Sequence, residues 1–94
     1  MTETLTDTQV QDWLTAHPLW RREQDSLVRA IEAPSFPAGI DLVSRVADVA
    51  EQRNHHPDID IRWRTVTFRL STHSAGGITE ADLDLAATID ELAT

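Results

Sequence analysis

The chain contains no cysteine and no lysine. Without cysteine there can be no disulfide, no thiolate metal site and no thiol nucleophile. Without lysine, Schiff-base chemistry and a phosphate-binding P-loop are excluded. The eight basic residues are all arginine and stand against 16 acids, for a formal charge of −8. Basic runs are absent as well, and an acidic surface repels phosphate backbones, so no direct nucleic-acid binding is expected. No apolar run approaches membrane-spanning length. The first residues, Met1-Thr-Glu-Thr-Leu-Thr-Asp, have neither the basic nor the apolar region of a secretory signal. A cytoplasmic protein without a membrane partner is the expectation.

What is present suits one small domain spanning residues 1–94. Hydrophobic residues make up 40% and charged residues 26%, as in ordinary folded proteins. There is neither a low-complexity tract nor an internal repeat, so disorder is not expected. A core of this size is thin, and self-association would bury further surface.

Thr6 and Gln9 have the spacing of a capping box, with Leu5 and Val10 placed as a hydrophobic staple. Val10, Trp13 and Leu14 continue a helix that stops before Pro18. Two short strands are expected around Leu19–Arg22 and Leu27–Glu32, joined by Glu23-Gln24-Asp25-Ser26. Ser35-Phe36-Pro37-Ala38 then opens a second helix, proline being tolerated in its first turn. Its buried stripe is Leu42, Val43, Val46, Val49 and Ala50, and Pro57 is expected to end it just after His55 and His56. From there the period becomes two. Ile59, Ile61 and Trp63 alternate with polar residues, and so do Val66, Phe68 and Leu70. The phase slips between Trp63 and Val66, and one continuous strand would span about 40 Å. A hairpin turn near Arg64-Thr65 resolves both points. Ser74-Ala75-Gly76-Gly77 reads as a loop. A third helix starts at Thr79, with Asp82 in the capping-box position and Leu85, Ile89 and Leu92 on its buried face. The order is αββαββα, an α+β fold whose simplest packing is a four-stranded antiparallel sheet with three helices packed on one face.

Three of the four histidines fall in or near turns. The second helix delivers His55 and His56 to one end of the sheet, and the hairpin returns His73 to that end. Imidazole both takes and gives a proton near neutrality, so a cleft holding several suits a reaction that moves one proton off and another on. A lone loop histidine is ordinarily a solvated surface residue, and His17 is placed in that class. Glu51 lies four residues before His55 and can hold a ring nitrogen if the helix persists; the plain alternative is a surface pair. Asp82 is explained by its cap alone. His55, His56, His73 and Asp82 could in principle ligate a metal. Adjacent histidines diverge, however, and no HExxH-like spacing is present, so none is expected. Trp13 and Trp63 fit buried faces of a helix and a strand, and Trp20 the beginning of a strand.

Glu51-x3-His55-His56-Pro57, then Trp63, Thr72-His73 and Gly77-Ile78-Thr79-x2-Asp82, resembles the pterin-4a-carbinolamine dehydratase family. Trp20, Val46-Ala47-x2-Ala50-Glu51, Leu70-Ser71-Thr72-His73 and Asp82-x2-Leu85-Ala86 extend the match over nearly the whole chain. Ile59 stands where animal members often carry an aromatic residue, and Gln52 where lysine is common. The resemblance implies an αββαββα fold that associates into homodimers or homotetramers. It also implies loss of water from 4a-hydroxytetrahydropterin to give quinonoid dihydropterin, which supports aromatic amino-acid hydroxylases through tetrahydrobiopterin recycling. By position, His55, His56 and His73 become the acid–base and pterin-contacting residues. Asn54, Ser71, Thr72 and Ser74 would edge the pocket, and Asp82 would orient a histidine or the ligand. The chemistry calls for no cofactor. Some animal members also act as dimerisation cofactors of a transcription factor, and some bacterial relatives are suspected assembly factors, so the alternative is a non-catalytic protein acting on a partner.

Overall fold

A computed structural model describes residues 3–94. The elements follow the expected order: α1 (Asp7–Ala16), β1 (Arg21–Glu23), β2 (Ser26–Glu32), α2 (Phe36–Arg53), β3 (Asp58–Arg62), β4 (Thr65–Leu70) and α3 (Glu80–Leu92). The strands form one antiparallel sheet in the order β1-β2-β4-β3. Alternation in β2 and β4 turns Leu27, Ile31, Val66, Phe68 and Leu70 to one face. There they meet Val10 of α1, Leu42 and Val46 of α2, and Leu85, Ala86 and Ile89 of α3. Gly39 lets α2 come close to β4: a Cβ there would lie 3.3 Å from Val66 Cγ2.

Both capping boxes form. The Thr6 side chain accepts from the Gln9 N–H while Gln9 reaches back to the Thr6 N–H, and Thr79 and Asp82 do the same for α3. Such caps satisfy backbone donors that the first turn leaves free.

Three local expectations are corrected. The second helix ends at Arg53 rather than after His56. Asn54 takes the left-handed conformation (φ 49°), its N–H bonds Glu51 O, and the His55 N–H bonds Ala50 O at 3.0 Å. This is a Schellman arrangement, which ends the helix three residues before Pro57 could. The second hairpin turns at Trp63-Arg64, one residue earlier than expected, because Arg62 pairs with Thr65. Trp63 therefore leaves the strand face: it sits in the turn with φ 53°, is 73% exposed, and lies under the Arg64 guanidinium, 4.8 Å from the ring centroid. The first strand begins at Arg21, and Trp20 stays outside it, buried, donating from Nε1 to Asp90 Oδ1 at 2.9 Å. The loop after β4 also contains one 3₁₀ turn, His73–Ala75, closed by a Thr72–Gly77 bridge.

On the sheet face away from the helices, Arg69 and Arg21 both hydrogen-bond Glu23, each at 2.7 Å. They hold its carboxyl below the ordinary value of 4.5. A lowered folded-state value stabilises above the unfolded value and is lost as pH falls through the folded one.

The Asp58–Arg69 pairing closes the β3–β4 ladder at one end of the sheet. The chain entering β3 (His55–Pro57) and the chain leaving β4 (Ser71–His73) thus share that end. The helix stop at Asn54 decides how His55 arrives there. We expect Asn54→Gly to keep stability within a few tenths of a kcal/mol, whereas Asn54→Val loses about 1–2 kcal/mol in urea unfolding, because a β-branched residue resists the left-handed region.

Candidate active site

The site is organised around the first turn of α3. Asp82 occupies the third position of that helix and is 0% exposed. Its Oδ2 accepts from the Thr79 backbone N–H at 2.9 Å and from the Thr72 hydroxyl at 2.8 Å. Its Oδ1 lies 2.5 Å from His55 Nε2. A buried carboxylate without partners is costly, and here two donors and an imidazole nitrogen from three stretches of chain meet it. The Thr79 hydroxyl, 2.7 Å from that of Thr72, extends the cluster inward.

His55 is held firmly. Its side chain is 15% exposed, its backbone is fixed by the helix stop, and its Nε2 is turned into the protein. The other ring nitrogen, Nδ1, has no hydrogen-bond partner among the described residues. The ring also helps line an open cleft of ≈ 530 Å³ between the end of α2 and α3, together with Arg53, Ala81, Asp84, Ala87 and Thr88. Arg53 donates to Thr88 Oγ1 at 2.9 Å across its wall.

The remaining expected site residues are less constrained. Glu51 meets His56 rather than His55, with Oε1 2.8 Å from His56 Nε2 and both side chains largely exposed. The change follows from the helix stop: beyond Asn54 the i,i+4 relation that would have linked Glu51 to His55 no longer holds. His73 and Ser74 are exposed on the 3₁₀ turn, directly after Thr72, and Asn54 is exposed at the helix end. Ser71 is half-buried and donates to Asp25 O at 2.8 Å, away from Asp82. The Thr72 hydroxyl is buried and spent on Asp82. Among the described residues no group of three or more His, Cys, Asp or Glu side chains is arranged to hold a metal ion.

Two features escaped the sequence. Thr79 was visible only as a cap, although its spacing from Asp82 already put both at one helix start. Arg53, Ala81, Asp84, Ala87 and Thr88 come together only once α2 and α3 pack; the helical spacing of 81, 84 and 88 was the available signal. His17, expected to be a solvated bystander, is half-buried. It stacks on Trp13 at 4.0 Å between ring centroids and bonds Trp13 O through Nδ1 at 2.8 Å.

Comparison with known proteins gives a consistent result. A family model described as pterin 4 alpha carbinolamine dehydratase matches residues 3–92. A protein of Nocardia farcinica is 61% identical over 92 residues, covering 98% of this chain and 97% of its own length. One of Mycobacteroides abscessus is 62% identical over 86 residues, covering 92% of each. Both bear the name "Putative pterin-4-alpha-carbinolamine dehydratase". A Brucella melitensis crystal structure described as a transcriptional coactivator/pterin dehydratase superposes with a TM-score of 0.93 at 26% identity, over 98% of this chain and 100% of that one. A pterin dehydratase-like protein described as a RuBisCO assembly factor in the alpha-carboxysome gives 0.67 at 25% identity, over 79% of this chain and 88% of that one.

The two carboxylate–histidine pairs should differ sharply in stability. Asp82→Ala leaves two buried donors, the Thr72 hydroxyl and the Thr79 N–H, without their acceptor and removes the partner of His55, and guanidinium unfolding should show a loss of about 3 kcal/mol. Glu51→Ala opens an exposed pair and should stay within about 0.5 kcal/mol.

Proposed function

The chain belongs to the pterin-4a-carbinolamine dehydratase family, and on that footing we propose that it removes water from a 4a-hydroxytetrahydropterin by histidine acid–base catalysis. The observation that carries this reading is His55, fixed through Nε2 by a buried carboxylate and standing at the wall of the α2–α3 cleft.

The reaction breaks the C4a–O bond. The hydroxyl leaves as water once protonated, and a ring N–H proton is removed to complete the quinonoid dihydropterin. One group gives a proton and another takes one, so two imidazoles in opposite states suffice, and no electron is gained or lost. In this reading His55 is one partner, and His73 or His56 the other. Asn54, Ser71 and Ser74 edge the pterin from the chain ends around the histidines. Thr72 contributes from inside, through Asp82, and Glu51 steadies His56. The product returns to the tetrahydropterin pool that an aromatic amino-acid hydroxylase draws on, and the reaction takes place in the cytoplasm. Residues 1–94 act as one unit.

Association of copies belongs to the same proposal. β3 is a free sheet edge carrying exposed Ile59 and followed by exposed Trp63 in the hairpin turn, and Phe36 and Ile40 are exposed on α2. Apolar surface beside an unpaired edge favours pairing with another chain. Light scattering at micromolar concentration should give a mass of at least two chains; a 10.5 kDa species would remove this claim.

A second reading is a partner-binding protein without catalysis, which the relative described as a RuBisCO assembly factor favours. One assay separates the two. The protein should accelerate dehydration of a synthetic 4a-hydroxytetrahydropterin above the buffer rate, and dialysis against a chelator should leave that rate unchanged. His55→Ala should lower it by about 10²–10⁴-fold and His73→Ala by at least about tenfold, since a positioned acid or base contributes on that scale. His17→Ala should keep the rate per folded molecule while losing stability, because the Trp13 stack is removed. A folded wild-type protein giving only the buffer rate between pH 6 and 8 hands the lead to the partner-binding reading.

A further inference from the structure

We infer that Thr79 is a positioning residue: its hydroxyl begins a one-way chain of buried hydrogen bonds, through Thr72 and Asp82, that holds His55 with its proton on Nε2 and leaves Nδ1 as the nitrogen that exchanges protons. The last clause rests on the proposed dehydration; the rest stands on geometry alone.

The direction of the chain follows from counting protons. A threonine hydroxyl has one to give. Thr72 gives its proton to Asp82 Oδ2 at 2.8 Å, so it has none left for Thr79. The 2.7 Å contact between the two hydroxyls is therefore donated by Thr79. The Thr79 oxygen accepts in turn from the Ala81 N–H at 3.3 Å. Thr79 thus acts twice, sending its hydroxyl proton to Thr72 and its backbone N–H to Asp82 Oδ2.

At the far end, Oδ2 is already filled by two donors, and Oδ1 faces His55 Nε2 at 2.5 Å. An ionised carboxylate only accepts, so the proton of that contact lies on the ring nitrogen. The opposite tautomer would set two lone pairs against each other at the same distance. Thr79 and Asp82 have no exposed surface and Thr72 only 8%, so water does not replace a missing donor. If Thr79 loses its hydroxyl, the Thr72 rotor loses the partner that points its proton at Asp82. The Asp82 carboxylate is then held less firmly with Oδ1 against Nε2, and the hold on the His55 ring and its tautomer weakens, although nothing touching the cleft has changed.

Long-range proton–nitrogen correlation spectra of ¹⁵N-labelled protein read the tautomer of neutral His55 directly. Wild type should show a protonated Nε2 and a pyridine-like Nδ1. Thr79→Val should give a mixed tautomer and a kcat lower by at least about tenfold at unchanged KM, the scale on which partners of active imidazoles act. Thr79→Ser should restore both. Should Thr79→Val fail to fold for want of its cap, Thr72→Val interrupts the same chain with the cap intact and should give the same signature. A wild-type His55 protonated on Nδ1, or a folded Thr79→Val or Thr72→Val protein with wild-type tautomer and kcat, overturns the inference. If wild type does not dehydrate the pterin at all, the proposed reaction falls, and the nitrogen spectra still decide the chain of bonds.

Discussion

A carboxylate with no access to water draws the working end of this protein together. Asp82 accepts from the Thr79 backbone at the start of α3 and from Thr72 just after β4, and it meets His55 just after α2. Thr72 and Thr79 lie within ten residues of Asp82, whereas His55 is 27 positions away, so the carboxylate ties the end of α2 to the β4–α3 connection. Burying a charge is tolerable only when its partners are in place, so the helix start, the loop and the imidazole are positioned as one unit. The sheet contributes by bringing two of these stretches to the same end, through the Asp58–Arg69 pairing. The core beneath gives the arrangement a rigid base.

Much of the fold was legible because its signals are local. The capping boxes of Thr6 and Thr79 need only a spacing of three residues, and the stripe of α2 and the alternation of β4 need only a period. The limits of the elements were less accessible. Pro57 is a visible helix breaker, yet the helix had already stopped at Asn54, where a left-handed residue closes the last turn. That difference reassigns Glu51 from His55 to His56. Trp63 shows the same weakness. Its aromatic character suits a buried strand position, but one residue of register puts it in the turn.

The site divides along the same line. The histidines could be singled out from their type and placement and Asp82 only through the family resemblance, while the hairpin brings the chain entering β3 and the chain leaving β4 to one end of the sheet. The Asp82–His55 contact, spanning 27 positions, and the inward turn of Thr72 could not be read that way. Both are products of packing, as is the α2–α3 cleft. Residue type reveals which groups have chemistry to offer, whereas the choice of ring nitrogen depends on what the fold sets beside it.

The exposed Trp63 also makes the molecule optically informative. Its indole lies in water at the tip of the β3–β4 hairpin, whereas Trp20 is buried and hydrogen-bonded to Asp90, and Trp13 is half-buried against His17. Three indoles in three environments give emission that separates into a long-wavelength component from the hairpin tip and shorter-wavelength components from the interior. Anything that covers the β3 edge, a second copy of the chain or another protein, shifts the first component toward the blue and leaves the Trp20 signal in place. Unfolding moves the interior components to the red instead. The intrinsic fluorescence of the unlabelled chain therefore distinguishes association from loss of structure.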